Sequence, residues 1–233
     1  MIFKMKRKFS ITIIVLLLTA GSSMAQTFIQ PNYGHKSHET LVINKVEATE
    51  KAVTFYLTIE NRITEGTFCA DKNIYIVFPD GSRSMLVSSN GIPVCPDEHK
   101  FNTAGEKLNF TLTFPPLKNG VEWIDLIEDC SENCFHFFGI TLDNELNRKL
   151  NDAFYLAEND DPVKAMISFI DILNDTDSKN RGVEGLIYVN IITLARQSGT
   201  VGSAVDWYKK LKNSGAPRMQ EYIKFLNDKG IKY

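Results

Sequence analysis

The sequence lacks the short motifs that carry the commonest enzymatic chemistries. A Gly-x-Ser-x-Gly turn, a phosphate-binding loop, a dinucleotide fingerprint and a His-Glu-x-x-His motif are all absent from its 233 residues. It has only four histidines and four cysteines, and no Cys-x-x-Cys pair. These absences argue against the familiar hydrolase, nucleotide-binding and thiol-redox classes. We therefore assign no catalytic residue, no resident metal and no cofactor, and favour a protein that is not an enzyme.

Long hydrophobic runs are also lacking. The longest apolar stretch, residues 11–18, has about half of the ~20 residues that a membrane-spanning helix needs. Lysine and arginine precede this stretch, and small residues that end in Ala25 follow it. This order is typical of a secretory signal peptide. We predict a signal peptide over residues 1–25, no membrane span, and an exported protein that is periplasmic or extracellular.

Once this leader is removed, the chain has fewer basic residues than acidic ones. The leader holds four of the 26 lysines and arginines and none of the 28 acids, so 22 basic residues remain against 28 acidic ones, a net charge of −6. A chain with a net negative charge is repelled by nucleic acid and by anionic membrane surfaces, so neither is expected as a partner. The hydrophobic content of 43% is ordinary for a folded globular chain.

The four cysteines are expected to form disulfides, because an even number in an exported chain favours pairing. Three connectivities are possible, and we prefer Cys69–Cys95 and Cys130–Cys134, since the first pair encloses one hairpin and the second encloses one turn. The alternative is a metal site made by Cys130, Cys134 and the nearby His136. Zinc usually binds tighter spacings and a second cysteine pair, so this alternative is disfavoured.

Residues 40–142 have the pattern of β-strands. In segments 53–60 and 107–114, apolar side chains alternate with polar ones at a period of two. Seven short strands separated by turns are typical of an immunoglobulin-like β-sandwich, which we predict here after a polar tail over residues 26–39. The five further strands are predicted at 41–47, 73–78, 83–88, 121–127 and 135–141.

Residues 143–233 have the 3.6-residue period of helices, so the fold class is α+β with two domains. Five helices are predicted; Asp143 caps the first, and Asp161 followed by proline begins the second. Two similar stretches place Ala165 and Ala204 at equivalent positions, 39 residues apart. This repetition favours tetratricopeptide-like helical hairpins. A plain five-helix bundle is the alternative.

Five short motifs stand out in the β half: Phe68-Cys-Ala-Asp-Lys-Asn, Gly91-Ile-Pro-Val-Cys-Pro, Leu112-Thr-Phe-Pro-Pro-Leu, Trp123-Ile-Asp-Leu-Ile-Glu-Asp-Cys and Asn133-Cys-Phe-His-Phe-Phe-Gly-Ile. With these motifs, the β half resembles a domain of uncharacterised exported proteins from Bacteroides and its relatives. The resemblance covers about residues 40–142 and implies an accessory domain of a bacterial envelope protein. Some relatives join this domain to a thioredoxin-like domain, which helices replace here, so redox chemistry is not implied.

Histidines and acids give only weak candidates for chemistry. His35 and His38, followed by Glu39, could hold a metal, but they fall in the predicted polar tail and are expected to be solvated. His99 is expected to be solvated in its charged loop. His136 is expected to be a core or edge histidine of a strand. Asp125 and the neighbouring Glu128-Asp129 could serve a glycosidase only if two of their carboxylates faced one sugar across ~5–10 Å, which their spacing does not show.

The helical aromatics are better candidates, because helical repeats present a concave groove to peptides. We therefore predict a binding or assembly protein of the cell envelope whose helices contact a protein or peptide partner. The oligomeric state is left open. A hydrolase or a carbohydrate-active accessory protein is the alternative. The candidate binding residues are Tyr188, Trp207, Tyr208 and Tyr222, with Phe225 beside them.

Overall fold

The computed structural model describes residues 25–159, 161–175 and 181–233. The predicted signal peptide, residues 1–25, lies outside the described residues apart from Ala25. Within them, antiparallel sheets come first and five helices follow, which confirms the α+β class. None of the described helices is long and apolar enough to cross a membrane.

Two five-stranded antiparallel sheets form the first half. The strands are β1 (Gln26–Ile29), β2 (His35–Lys36), β3 (Leu41–Ala48), β4 (Val53–Glu60), β5 (Thr67–Phe68), β6 (Ile74–Val77), β7 (Arg83–Met85), β8 (Ser88–Asn90), β9 (His99–Lys100), β10 (Lys107–Phe114), β11 (Trp123–Glu128) and β12 (His136–Thr141). One sheet has the order β1-β3-β4-β10-β8 and the other has the order β2-β12-β11-β6-β7, while β5 pairs with β9. Buried side chains from both sheets belong to one hydrophobic core.

β4 and β10 are neighbours within the first sheet, and both have the alternation of apolar and polar residues that predicted them. Along β4 every second residue is buried, and the strand pairs with β10 over its whole length, from Glu60 opposite Lys107 to Val53 opposite Phe114. The rings of Phe55 and Phe114 meet edge to face inside the core, 5.7 Å apart. These two strands therefore lie where the sequence pattern predicts them.

The predicted polar tail over residues 26–39 is wrong, because this segment adds a strand to each sheet. β1 pairs with β3, and β2 pairs with β12. Phe28 is buried in the core, and the ring of Tyr33 packs against Phe137 at 5.2 Å. Strands of four and two residues are too short for their alternation to stand out from a polar segment.

The first two helices begin at their predicted caps. The Asp143 carboxylate accepts from the backbone N–H groups of Glu145 and Leu146, and Asp161 accepts from Lys164 N–H, as N-caps do. The helices are α1 (Asn144–Glu158), α2 (Pro162–Asp175), α3 (Glu184–Gln197), α4 (Val201–Asn213) and α5 (Met219–Asp228), with a short 3-10 turn at Arg181–Val183 before α3.

The two halves touch through backbone at two glycines. Gly139 of β12 lies against Gly182 of the 3-10 turn so closely that a Cβ at Gly139 would come within 2.7 Å of the Gly182 carbonyl carbon. A Cβ at Gly182 would meet the ring of Trp123 at 2.7 Å. Beside them, the N–H of Asn32 donates to the side-chain oxygen of Asn147 at 2.7 Å. These contacts fix the helices against the second sheet.

Both preferred disulfides are present. Cys69 pairs with Cys95, and Cys130 pairs with Cys134 across the turn between β11 and β12. The metal alternative at Cys130 and Cys134 is excluded, because their sulfurs are bonded to each other. Two disulfides indicate a non-cytoplasmic environment, since cytosolic reductants keep thiols reduced.

Candidate functional site

A groove of about 660 Å³ opens between the helical half and the start of the second sheet. Three helices line it: α1 contributes one residue, α3 contributes six and α5 contributes three. The lining residues are Gly34, His35, Phe154, Leu186, Val189, Asn190, Thr193, Arg196, Gln197, Tyr222, Phe225, Leu226, Lys229 and Ile231.

Helix α3 supplies one stripe of this groove. Leu186, Asn190, Thr193 and Gln197 recur at intervals of three and four residues, so they share one helical face. The opposite face of α3, which includes Ile191, is buried in the helical core. The stripe changes from apolar to polar along the helix, which gives the groove an apolar end and a hydrogen-bonding end.

The charged side chains that line the groove are basic. Arg196 and Lys229 stand at its polar end, and neither aspartate nor glutamate is among the residues that the structure places on its lining. Arg196 Nη1 donates to the carbonyl oxygen of Gly230 at 2.8 Å, which holds the guanidinium at this end. An occupant that carries an apolar side chain and a carboxylate matches this arrangement.

Only part of the predicted aromatic set faces this groove. Tyr188 and Tyr208 are buried in the helical core, and Trp207 is partly buried beside them. Tyr188 and Tyr208 therefore stabilise the helices and do not form a contact surface, and Trp207 is not among the residues that line the groove. Tyr222 is buried as well, although it also lines the groove, and Phe225 is 42% exposed there. Phe154 also lines the groove but was not among the predicted binding residues, because it lies on the same face of α1 as core residues such as Leu150.

A cluster of histidine rings lies at the edge of the groove. Pairing of β2 with β12 brings His35 Nδ1 to 3.2 Å from His136 Nε2. The His136 ring stacks on Phe138, with centroids 4.1 Å apart and planes inclined by 17°.

The expectation that His35 and His38 are solvated is wrong: both are half-buried, and burial lowers the pKa of His38. His99, also expected in solvent, is half-buried, with its ring edge-on to Phe101.

Acidification is expected to destabilise the protein through His136. Burial, together with the charges of His35 and Arg218, lowers the pKa of His136 from its ordinary 6.5 to about 4. Between pH 6.5 and pH 4, the unfolded chain binds a proton at this ring that the folded protein does not bind, so the free energy of unfolding falls as the pH falls. We expect the Tm of His136→Gln to fall less steeply than that of the wild type over this interval. Parallel Tm curves for the two proteins would contradict this expectation.

The two buried acids, Asp125 and Glu128, have separate structural roles. Asp125 accepts the Gly139 N–H at 2.7 Å and forms a two-pronged ion pair with Arg218, the residue that precedes α5. Glu128 accepts the N–H groups of Asp71 and Phe135. Burial raises the pKa of both carboxyls. Because each carboxylate is held by its own partners, the pair does not present the two free carboxylates that a glycosidase needs.

No protein-family model matches the chain, and no curated protein or solved structure matches it. Within residues 25–159, 161–175 and 181–233, no group of three or more histidine, cysteine or acidic side chains could hold a metal ion. The groove and the histidine cluster are therefore the features from which a function is inferred.

Proposed function

We propose that the protein is an exported, non-enzymatic binding protein of the bacterial cell envelope, whose helical groove receives an extended peptide segment of a partner protein. The observation that carries this proposal is the groove itself. The stripe that α3 contributes is apolar at one end and polar at the other, the charged side chains of the lining are basic, and part of Phe225 is left in solvent beside it. A peptide with an apolar side chain next to an acidic one fits both ends.

The order of the helices supports a repeat-like contact face. The groove is lined by α1, α3 and α5, while α2 and α4 contribute no lining residue. Lining by every second helix is the arrangement in which stacked helical hairpins present a concave surface. In this proposal α1–α2 and α3–α4 are tetratricopeptide-like hairpins, and α5 caps the stack.

The sheets would serve as the rigid body that carries this face. We propose that they form an immunoglobulin-like sandwich, as the resemblance of residues 40–142 to exported Bacteroides domains implies. The single core shared by the two sheets and the two disulfides support that interpretation. A leader over residues 1–25 would deliver the chain to the periplasm or beyond, where such disulfides persist.

A peptide-selection experiment tests the groove. Peptides are selected from a displayed random library on the full protein, and their affinities are measured by fluorescence anisotropy. We expect Phe225→Ala to weaken binding about tenfold, because an aromatic side chain at an interface is a typical energetic anchor. Ile167→Ala is the matched control, since Ile167 on α2 is 50% exposed and lies outside the groove. Failure to select any peptide, or equal losses in the two variants, would refute the proposal.

A further inference from the structure

The paired histidines at the edge of the groove suggest a site of another kind. We propose that His35 and His136 together bind one divalent transition-metal ion, with Cu²⁺ held more tightly than Zn²⁺. Imidazole nitrogen is a preferred ligand of both ions, and Cu²⁺ stands above Zn²⁺ in the general order of affinity. The site goes beyond peptide binding and does not depend on it.

The distance between the two ring nitrogens fits this assignment. Metal–nitrogen bonds of about 2.0–2.1 Å place two adjacent ligand nitrogens about 2.9 Å apart at a square-planar angle and about 3.3 Å apart at a tetrahedral angle. His35 Nδ1 and His136 Nε2 are 3.2 Å apart, so the two rings need only turn their facing nitrogens towards a common ion. Without metal, one neutral ring donates its N–H to the other. On metal binding, that shared proton moves to the far nitrogen of the donor ring, and both facing nitrogens offer lone pairs.

The surrounding structure holds both rings in place. Backbone pairing of β2 with β12 sets the positions of the two histidines, and Ser37 Oγ accepts the backbone N–H of His136 at 2.9 Å. The stack of His136 on Phe138 fixes the ring plane. Ligand side chains that are already oriented lose less entropy on binding a metal, which favours an ion even when few ligands are present.

A fixed positive charge near the pair is partly compensated. The guanidinium of Arg218 lies 3.7 Å from the centre of the Phe138 ring, on which His136 stacks, and it would repel a cation. Asp125 forms a two-pronged ion pair with this guanidinium. The carboxylate therefore offsets part of the repulsion that a bound ion would meet.

Two protein ligands leave the remaining coordination positions of the ion to other groups. The described chain offers no third histidine, cysteine or acid for a larger cluster, so water would complete the coordination shell. His35 is also part of the groove lining, which places a bound ion at the groove's edge. The site is thus an open one, unlike the closed four-ligand shell of a structural zinc site.

Copper titration of the full protein, without a histidine tag, tests the proposal. We expect isothermal titration calorimetry to show one Cu²⁺ per chain. His35→Gln and His136→Gln should each weaken binding by about tenfold or more, since even the loss of a group that only orients a ligand costs that much. His99→Gln is the matched control and should bind as the wild type does. Absence of wild-type binding, or equal affinity in all four proteins, overturns the proposal.

A second measurement guards against variants that fail to fold. Electron paramagnetic resonance of wild-type protein with one equivalent of Cu²⁺ should show hyperfine coupling to two imidazole nitrogens. A spectrum with one imidazole or none would overturn the proposal whatever the variants do. Peptide selection on the groove does not involve copper, so failure of the metal site and failure of the proposed peptide binding are distinguishable.

Discussion

Gly139→Ala is expected to destabilise the protein by about 3 kcal/mol or more, which would be a large loss for a marginally stable fold. Gly139 has φ of 66°, and a left-handed conformation costs an alanine about 1–2 kcal/mol. The added Cβ would also collide with the carbonyl of Gly182, which is backbone and cannot rotate away. Denaturant unfolding followed by circular dichroism measures the change in the free energy of unfolding.

Gly81→Ala separates the two causes of this loss. Gly81 has φ of 79°, in the same region, but a Cβ there would meet nothing within 4 Å. We expect this control to show only the conformational cost of about 1–2 kcal/mol. If both variants lose equal stability, the contact between Gly139 and Gly182 does not hold the two halves together.

Much of the fold could be predicted because local pattern determined it. The unbroken alternation of β4 and β10 and the caps at Asp143 and Asp161 are visible within a few residues of chain. The disulfide pairing could be predicted because Cys69 and Cys95 stand on either side of one predicted hairpin, and Cys130 and Cys134 stand on either side of one turn. Each of these features depends on neighbours in sequence, and the structure places them where they were expected.

The contacts that assemble the groove could not be predicted in this way. Arg218 and its partner Asp125 are 93 residues apart, and nothing near Arg218 distinguishes it from a solvated arginine. His35 meets His136 across 101 residues because β2, only two residues long, joins the second sheet. The aromatic residues of the helices were found, but the sequence did not show that Tyr188 and Tyr208 face the core.

Arg218→Ala is the second substitution with a large expected effect. Asp125 is only 2% exposed, and the substitution leaves its carboxylate buried with the Gly139 N–H but without its cationic partner. Breaking a buried ion pair by removing one partner costs about 3–5 kcal/mol. The loss should appear in denaturant unfolding at neutral pH. Arg148→Ala removes an exposed ion pair with Asp152 on α1, and this control should leave stability nearly unchanged.

The double variant Asp125→Asn/Arg218→Met shows whether the cost comes from the unpaired charge. It removes both charges, so it should be more stable than Arg218→Ala alone.

The pH dependence of stability is a second test of whether the unpaired charge causes the loss. Burial raises the pKa of Asp125 in the wild type, where the Arg218 guanidinium opposes this rise. Arg218→Ala removes that opposing effect, so the folded variant should bind a proton at Asp125 more readily than the folded wild type does. The deficit relative to wild type should therefore be complete above the folded pKa and shrink as the pH falls through it. A deficit that is independent of pH would mean that Arg218 stabilises the junction by packing on Phe138, and that its charge is not required.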